Sequence, residues 1–256
     1  MYRWRSLTIL SDTWAPLHAA LECLSVPTVT NASGAPCLES LMLMRCNEFL
    51  GHTDTFIPRS QPINGIPFAT LMGDPTVQSN PLSKLRDITL VGVHVDWTNF
   101  YHYTLGAALD QPHSRAPSCI RSLELSHHCR GVRPSYNEFS GILKACPLLR
   151  RLVIKVSGPR FDEGVPPNDH PVSLRLLEEL HIGYTGVEDT ALLLNQISAP
   201  NLVTLSIEDA NHVTHLDDED ATTLLTYCAT GMLNFCEVLA EESSDLAIKP
   251  PFPHLE

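Results

Sequence analysis

The sequence predicts an α/β fold in which short parallel strands stack into one curved sheet and helices carry the chain back along its other side. Two observations predict it: an aliphatic cadence, apolar-x-x-apolar-x-apolar, that occurs seven times, and helical stripes between the copies. The copies are WRSLTI (Trp4, Leu7, Ile9), LESLML (Leu38, Leu41, Leu43), LRDITL (Leu85, Ile88, Leu90), IRSLEL (Ile120, Leu123, Leu125), LRRLVI (Leu149, Leu152, Ile154), LEELHI (Leu177, Leu180, Ile182) and LVTLSI (Leu202, Leu205, Ile207).

Their first residues, at 4, 38, 85, 120, 149, 177 and 202, are separated by 34, 47, 35, 29, 28 and 25 residues. A repeat of roughly 20 to 29 residues opening with L-x-x-L-x-L is the mark of a leucine-rich-repeat solenoid, each unit a strand plus a return segment. The repeats are irregular, and the longer early spacings imply insertions. Alternation within each copy places the aliphatic residues on one face of a strand and the residues between them on the other. One such strand cannot bury itself. Seven stacked in parallel bury a continuous ladder on the helical, convex side.

The returns read as helices. In PSYNEFSGILKAC, Ser135 and Glu138 form a capping box, Phe139, Ile142, Leu143 and Cys146 share one helical face, and Pro147 ends it. Asp217 to Asp220 place negative charge at the start of a second helix, carrying Ala221, Leu224, Leu225 and Cys228. Trp14, Leu17, Leu21 and Leu24, then Ala191, Leu194 and Ile197, draw similar stripes. Residues 51–81 hold prolines and turn dipeptides in place of periodicity and read as a long loop insertion. Residues 161–171 read as a shorter loop. Residues 229–254 form an irregular segment, and Leu255 and Glu256 open an eighth strand. The expectation is one domain over 1–256, about seven repeats and the start of another.

Composition narrows function. The formal charge is −12, from 29 acidic against 17 basic residues, which disfavours gripping a nucleic-acid backbone. The first fourteen residues contain Arg3, Arg5, Trp4 and Trp14 where a signal peptide needs an unbroken apolar run, and no later run approaches a membrane span. A soluble protein of cytoplasm or nucleus, without nucleic-acid or membrane partners, is expected. Eight cysteines contain no C-x-x-C pair and read as reduced and mostly buried, with Cys23, Cys146 and Cys228 closing helix stripes.

A second class of function is a metal-dependent or hydrolytic enzyme using the histidine-rich middle, His94, His102, His113, His127 and His128. The spacing argues against it. His94 and Asp96 alternate, whereas a metal needs three or four converging ligands with supporting partners. His127 and His128 end a strand, where polar residues face solvent. Ser140-Gly141 and Ser157-Gly158 lack any partner pattern for a nucleophile, and no phosphate loop or H-E-x-x-H motif is present. The sequence calls for no catalytic residue, metal or cofactor.

The expected binding surface is the concave face, built from the residues between the ladder positions: Thr8 and Leu10, Met42 and Met44, Thr89 and Val91, Glu124 and Ser126, Val153 and Lys155, His181, Ser206 and Glu208. Its early part is apolar for exposed strand positions, which marks contact with another macromolecule unless the insertion folds over it.

The arrangement resembles the irregular leucine-rich-repeat region of fungal, mushroom-type F-box proteins. Arg3-Trp4-Arg5-Ser6-Leu7, Cys37-Leu38-Glu39-Ser40-Leu41 with Cys46 after the strand, Cys146-Pro147-Leu148-Leu149 and Ala199-Pro200-Asn201-Leu202 carry the likeness, which spans the chain. The resemblance implies a non-catalytic interaction module, the substrate-recognition part of a Skp–cullin–F-box ubiquitin ligase. An F-box is not found in the sequence, since Met1 is followed at once by a repeat strand. Contact with the Skp adaptor is therefore expected only through an F-box upstream, and the repeats would hold the protein substrate.

Overall fold

Each copy of the cadence forms a strand. A computed structural model describes residues 3–25, 37–58, 82, 84–101, 118–160, 171–210 and 222–230. The strands are β1 (Ser6–Ser11), β2 (Ser40–Arg45), β3 (Asp87–Val91), β4 (Ser122–Ser126), β5 (Arg151–Lys155), β7 (Glu179–Tyr184) and β9 (Thr204–Asp209). They join in one parallel seven-stranded sheet whose order, β1-β2-β3-β4-β5-β7-β9, follows the chain. A separate two-stranded parallel sheet pairs β6 (Val172–Ser173) with β8 (Ile197–Ser198). The class is α/β.

Register follows from the repeat. Leu7, Leu41, Ile88, Leu123, Leu152, Leu180 and Leu205 are successive partners across the sheet, and Ile9, Leu43, Leu90, Leu125, Ile154, Ile182 and Ile207 form a second row. On the five inner strands these residues are at most 2% exposed; on β1 and β9 they are only partly buried. Full burial of one such side chain is worth about 1.5–3 kcal/mol, so two unbroken rows dominate the core.

The two residues between the first pair of aliphatics both point outward, because the strand bends at its entry. Leu149 and Leu152 are buried while Arg150 and Arg151 are not. The bend is held by one backbone device used six times. The Arg5 carbonyl accepts the N–H groups of Glu39 and Ser40 at 2.7 and 3.0 Å, and Glu39, Arg86, Arg121, Arg150 and Glu178 each do the same for the following strand. Strand exits are also alike. Gly92, His127 and Val156, each the residue after its strand, all take positive φ, 59°, 53° and 51°. Glycine adopts that conformation freely; a β-branched valine does so against its own sterics.

The returns are less regular than expected. α1 (Trp14–Ser25) follows β1, a 3-10 turn (Glu48–His52) follows β2, and α2 (Trp97–Asn99) follows β3 with three residues. α3 (Tyr136–Lys144) follows β4, and α4 (Val187–Asn195) lies between β7 and β9. Between β5 and β7 the described residues contain only β6, so among the described residues helix does not alternate strictly with strand.

The capping box forms as the sequence requires: Ser135 Oγ accepts from the Glu138 N–H, and the Ser135 N–H donates to Glu138 Oε2 at 2.8 Å. Phe139, Ile142, Leu143 and Cys146 are wholly buried. In α5 (Thr222–Thr230), Leu224 is buried but Leu225 is exposed, which narrows the expected stripe.

The start of the insertion packs onto the core. Phe56 meets Trp14 edge-on and His94 at a tilt, with ring centroids 5.1 and 5.0 Å away, under the Arg45 guanidinium. Arg45 donates to the Ile57 carbonyl at 2.9 Å, and the Thr53 and Asp54 carbonyls accept from the Arg130 and Gly131 N–H groups. Residues 59–81, His102 and His113, 161–170, Asp217 to Asp220 and 231–256, with the expected eighth strand, lie outside the described residues.

Candidate functional site: the outer face of the sheet

Opposite the aliphatic rows, the residues between them form rows of their own. One runs Thr8, Met42, Thr89, Glu124, Val153, His181, Ser206; the other Leu10, Met44, Val91, Ser126, Lys155, Gly183, Glu208. All thirteen sequence-selected residues are therefore brought together on one face. They are not equally available. Thr8, Leu10 and Glu208 are exposed, and Met42, Met44, Thr89, Glu124, Lys155, His181 and Ser206 are partly so. Val91, Ser126 and Val153 are buried, at 3%, 2% and 2%. All three sit on inner strands of the sheet, so they shape the surface without presenting area to a partner.

Charge divides this face. On β5, β7 and β9 the side chains satisfy one another: Arg151 Nε lies 3.3 Å from Glu179 Oε2, His181 Nε2 lies 3.8 Å from the same oxygen, and Lys155 Nζ lies 2.6 Å from Glu208 Oε1. At the strand entries Arg150 pairs with Glu178. The two arginines between leucines thus bind the next repeat, each to the residue 28 positions on. Gly183 enables the Lys155 bridge: a Cβ there would stand 3.2 Å from Lys155 Cγ, where the lysine stem crosses to β9. On β1, β2 and β3 Asp87, exposed at the entry of β3, is the one charged residue of this face, and the remainder is uncharged, with Leu10 58% exposed.

The histidines behave otherwise than expected. His128 does not face solvent; it is fully buried, and burial, with Arg133, His127 and His94 nearby, pushes its pKa down to about 3. Ser157, buried as well, accepts the His128 N–H at 3.0 Å and sits 2.8 Å from Nδ1. Trp97 packs edge-on against the ring, and Arg133 donates to the His128 carbonyl at 2.9 Å. Sequence reasoning missed this pair. Its signal is present, however: the two residues are 29 positions apart, the spacing of their repeats, and both stand two places beyond a strand.

A serine against a histidine invites a nucleophilic reading, which three observations oppose. Ser157 is 1% exposed, the imidazole is a weak base, and its Nε2 has no hydrogen-bond partner among the described residues to orient it. The pair is a strut between adjacent repeats. Among the described residues no three His, Cys, Asp or Glu side chains converge on one point.

Of the described cysteines, Cys129 and Cys146 are buried, the latter's pKa raised by burial to about 12, whereas Cys46 and Cys119 are exposed, against expectation. They follow strand and loop positions that the packing of the rows does not cover. No described helix is long and apolar enough to cross a membrane. Comparison with protein-family models, with curated proteins and with solved structures found no match.

Proposed function

We propose that this chain is a leucine-rich-repeat solenoid that performs no chemistry and recognises a protein on the concave, outer face of its sheet. In this reading it is the substrate-recognition part of an F-box protein, presenting its target to a Skp–cullin ubiquitin ligase. The observation that carries the reading is the division of labour in the sheet. Two unbroken aliphatic rows consume one face, leaving a broad opposite face whose β1–β3 end carries Leu10, Met42 and Met44 and, among the described residues, holds no ion pair.

Contact centres on Thr8, Leu10, Met42, Met44 and Thr89, because the charged side chains of β5, β7 and β9 are engaged with one another and would have to lose those pairs to meet a partner. Methionine adapts its shape to a bound surface, and partly exposed apolar area favours association.

The test is quantitative affinity capture from a fungal lysate with the tagged chain. Proteins bound by the native sequence are to be lost by about ten-fold or more when Met42→Lys and Thr89→Lys are combined, and retained with Lys144→Glu on α3. Fusion of an F-box to the chain then brings about ubiquitination of the captured protein. Capture that ignores the Met42 and Thr89 changes would overturn the reading.

A further inference from the structure

We propose that the β1 edge pairs antiparallel with the β1 edge of a second copy of this chain, joining two sheets into one. Among the described residues β1 pairs only with β2. The carbonyls of Arg5 and Ser11 point toward β2, and alternate residues of a parallel strand point to opposite neighbours. The N–H and C=O groups of Ser6, Thr8 and Leu10 therefore face away from it.

The side chains of this edge are under-buried in the same way. Trp4 is 47% exposed, while the equivalent first aliphatics of the other six copies are at most 2% exposed, and Leu7 and Ile9 are only partly covered. Natural edge strands are protected by charge, proline, a bulge or shortness. Ser6–Ser11, SLTILS, has six residues and no charge or proline, and it pairs with β2 in unbroken register.

Charge selects the occupant and its direction. Arg3 and Arg5 precede β1 and Asp12 follows it, all exposed. In an antiparallel pair centred on Thr8, the cationic entry of each copy meets the Asp12 end of the other, twice; a parallel pair would set arginine beside arginine. The same register is the one that keeps the faces matched. Ser6 lies opposite Leu10 and Thr8 opposite its own counterpart, so the outward-pointing backbone groups exchange bonds. Leu7 then lies opposite Ile9 and extends the aliphatic rows across the junction.

Sedimentation velocity on the full chain tests this. The native protein at micromolar concentration sediments with the mass of two chains. Thr8→Lys, at an exposed position, sets like charges opposite each other and raises the dissociation constant by about ten-fold or more. Asp12→Arg weakens the pair similarly, and adding Arg3→Asp with Arg5→Asp restores it; circular dichroism confirms that each variant is folded. A native protein of one-chain mass would overturn the proposal, as would a dimer indifferent to Thr8→Lys. Failure of the charge reversal to restore association would overturn the antiparallel pairing.

Discussion

His128 shows what a single buried side chain imposes. Its pKa of about 3 in the folded protein lies below the ordinary value of 6.5, so it stays neutral when folded and takes up a proton on unfolding. Its contribution to stability is complete above pH about 6.5 and is lost as pH falls from there toward about 3, by up to about 1.4 kcal/mol per pH unit. Denaturant titrations at a series of pH values check this: the stability gap between the native chain and His128→Leu is expected to narrow steadily on acidification, and parallel profiles would refute it. Gly92 is a second case. Its φ of 59° is one that glycine adopts without strain, and a Cβ would sit 3.3 Å from Arg45 Cβ. Gly92→Ala is therefore expected to lower stability by about 1–2 kcal/mol in equilibrium unfolding.

At the scale of the element, the helix with the best local signals forms as read. α3 has a Ser135–Glu138 box at its start and a four-residue buried stripe; Ser135→Ala should remove about 1 kcal/mol, measurable as a lower midpoint in urea. After β2 and β3 the described residues hold only a 3-10 turn and the start of a helix at Trp97, and the rest of those returns lies outside the described residues. The strands were legible because each needs only three aliphatic residues at fixed spacing. The two-residue β6 and β8 were not legible, since pairs so short carry no periodicity. The outer face was legible as a set of positions but not as a landscape: the burial of Val91, Ser126 and Val153, and the pairing of Arg151 and His181 with Glu179, depend on which side chains the neighbouring strand brings alongside. His128 was misread because a strand end was equated with solvent, when the next repeat covers it.

Across the whole molecule, stability rests on rows of side chains contributed by residues 25 to 47 positions apart. Each inner rung touches two others, so a void in one rung is felt by its neighbours. Leu152→Ala, in the middle of the first row, is expected to lower stability by about 2–5 kcal/mol, and a loss below about 1 kcal/mol would mean that the row is not continuously packed. Because packing fixes the inner face, the residues of the outer face are free to suit a partner, which is how a chain with one aliphatic cadence can carry a specific binding surface.

That division between a packed face and a reading face is tested most directly by photo-crosslinking. A photoreactive amino acid placed at Thr89, on the outer face, and separately at exposed Lys144, on α3, reports which side meets protein in a cell lysate. The account predicts a discrete covalent adduct from position 89 and none from position 144; adducts confined to position 144 would contradict it.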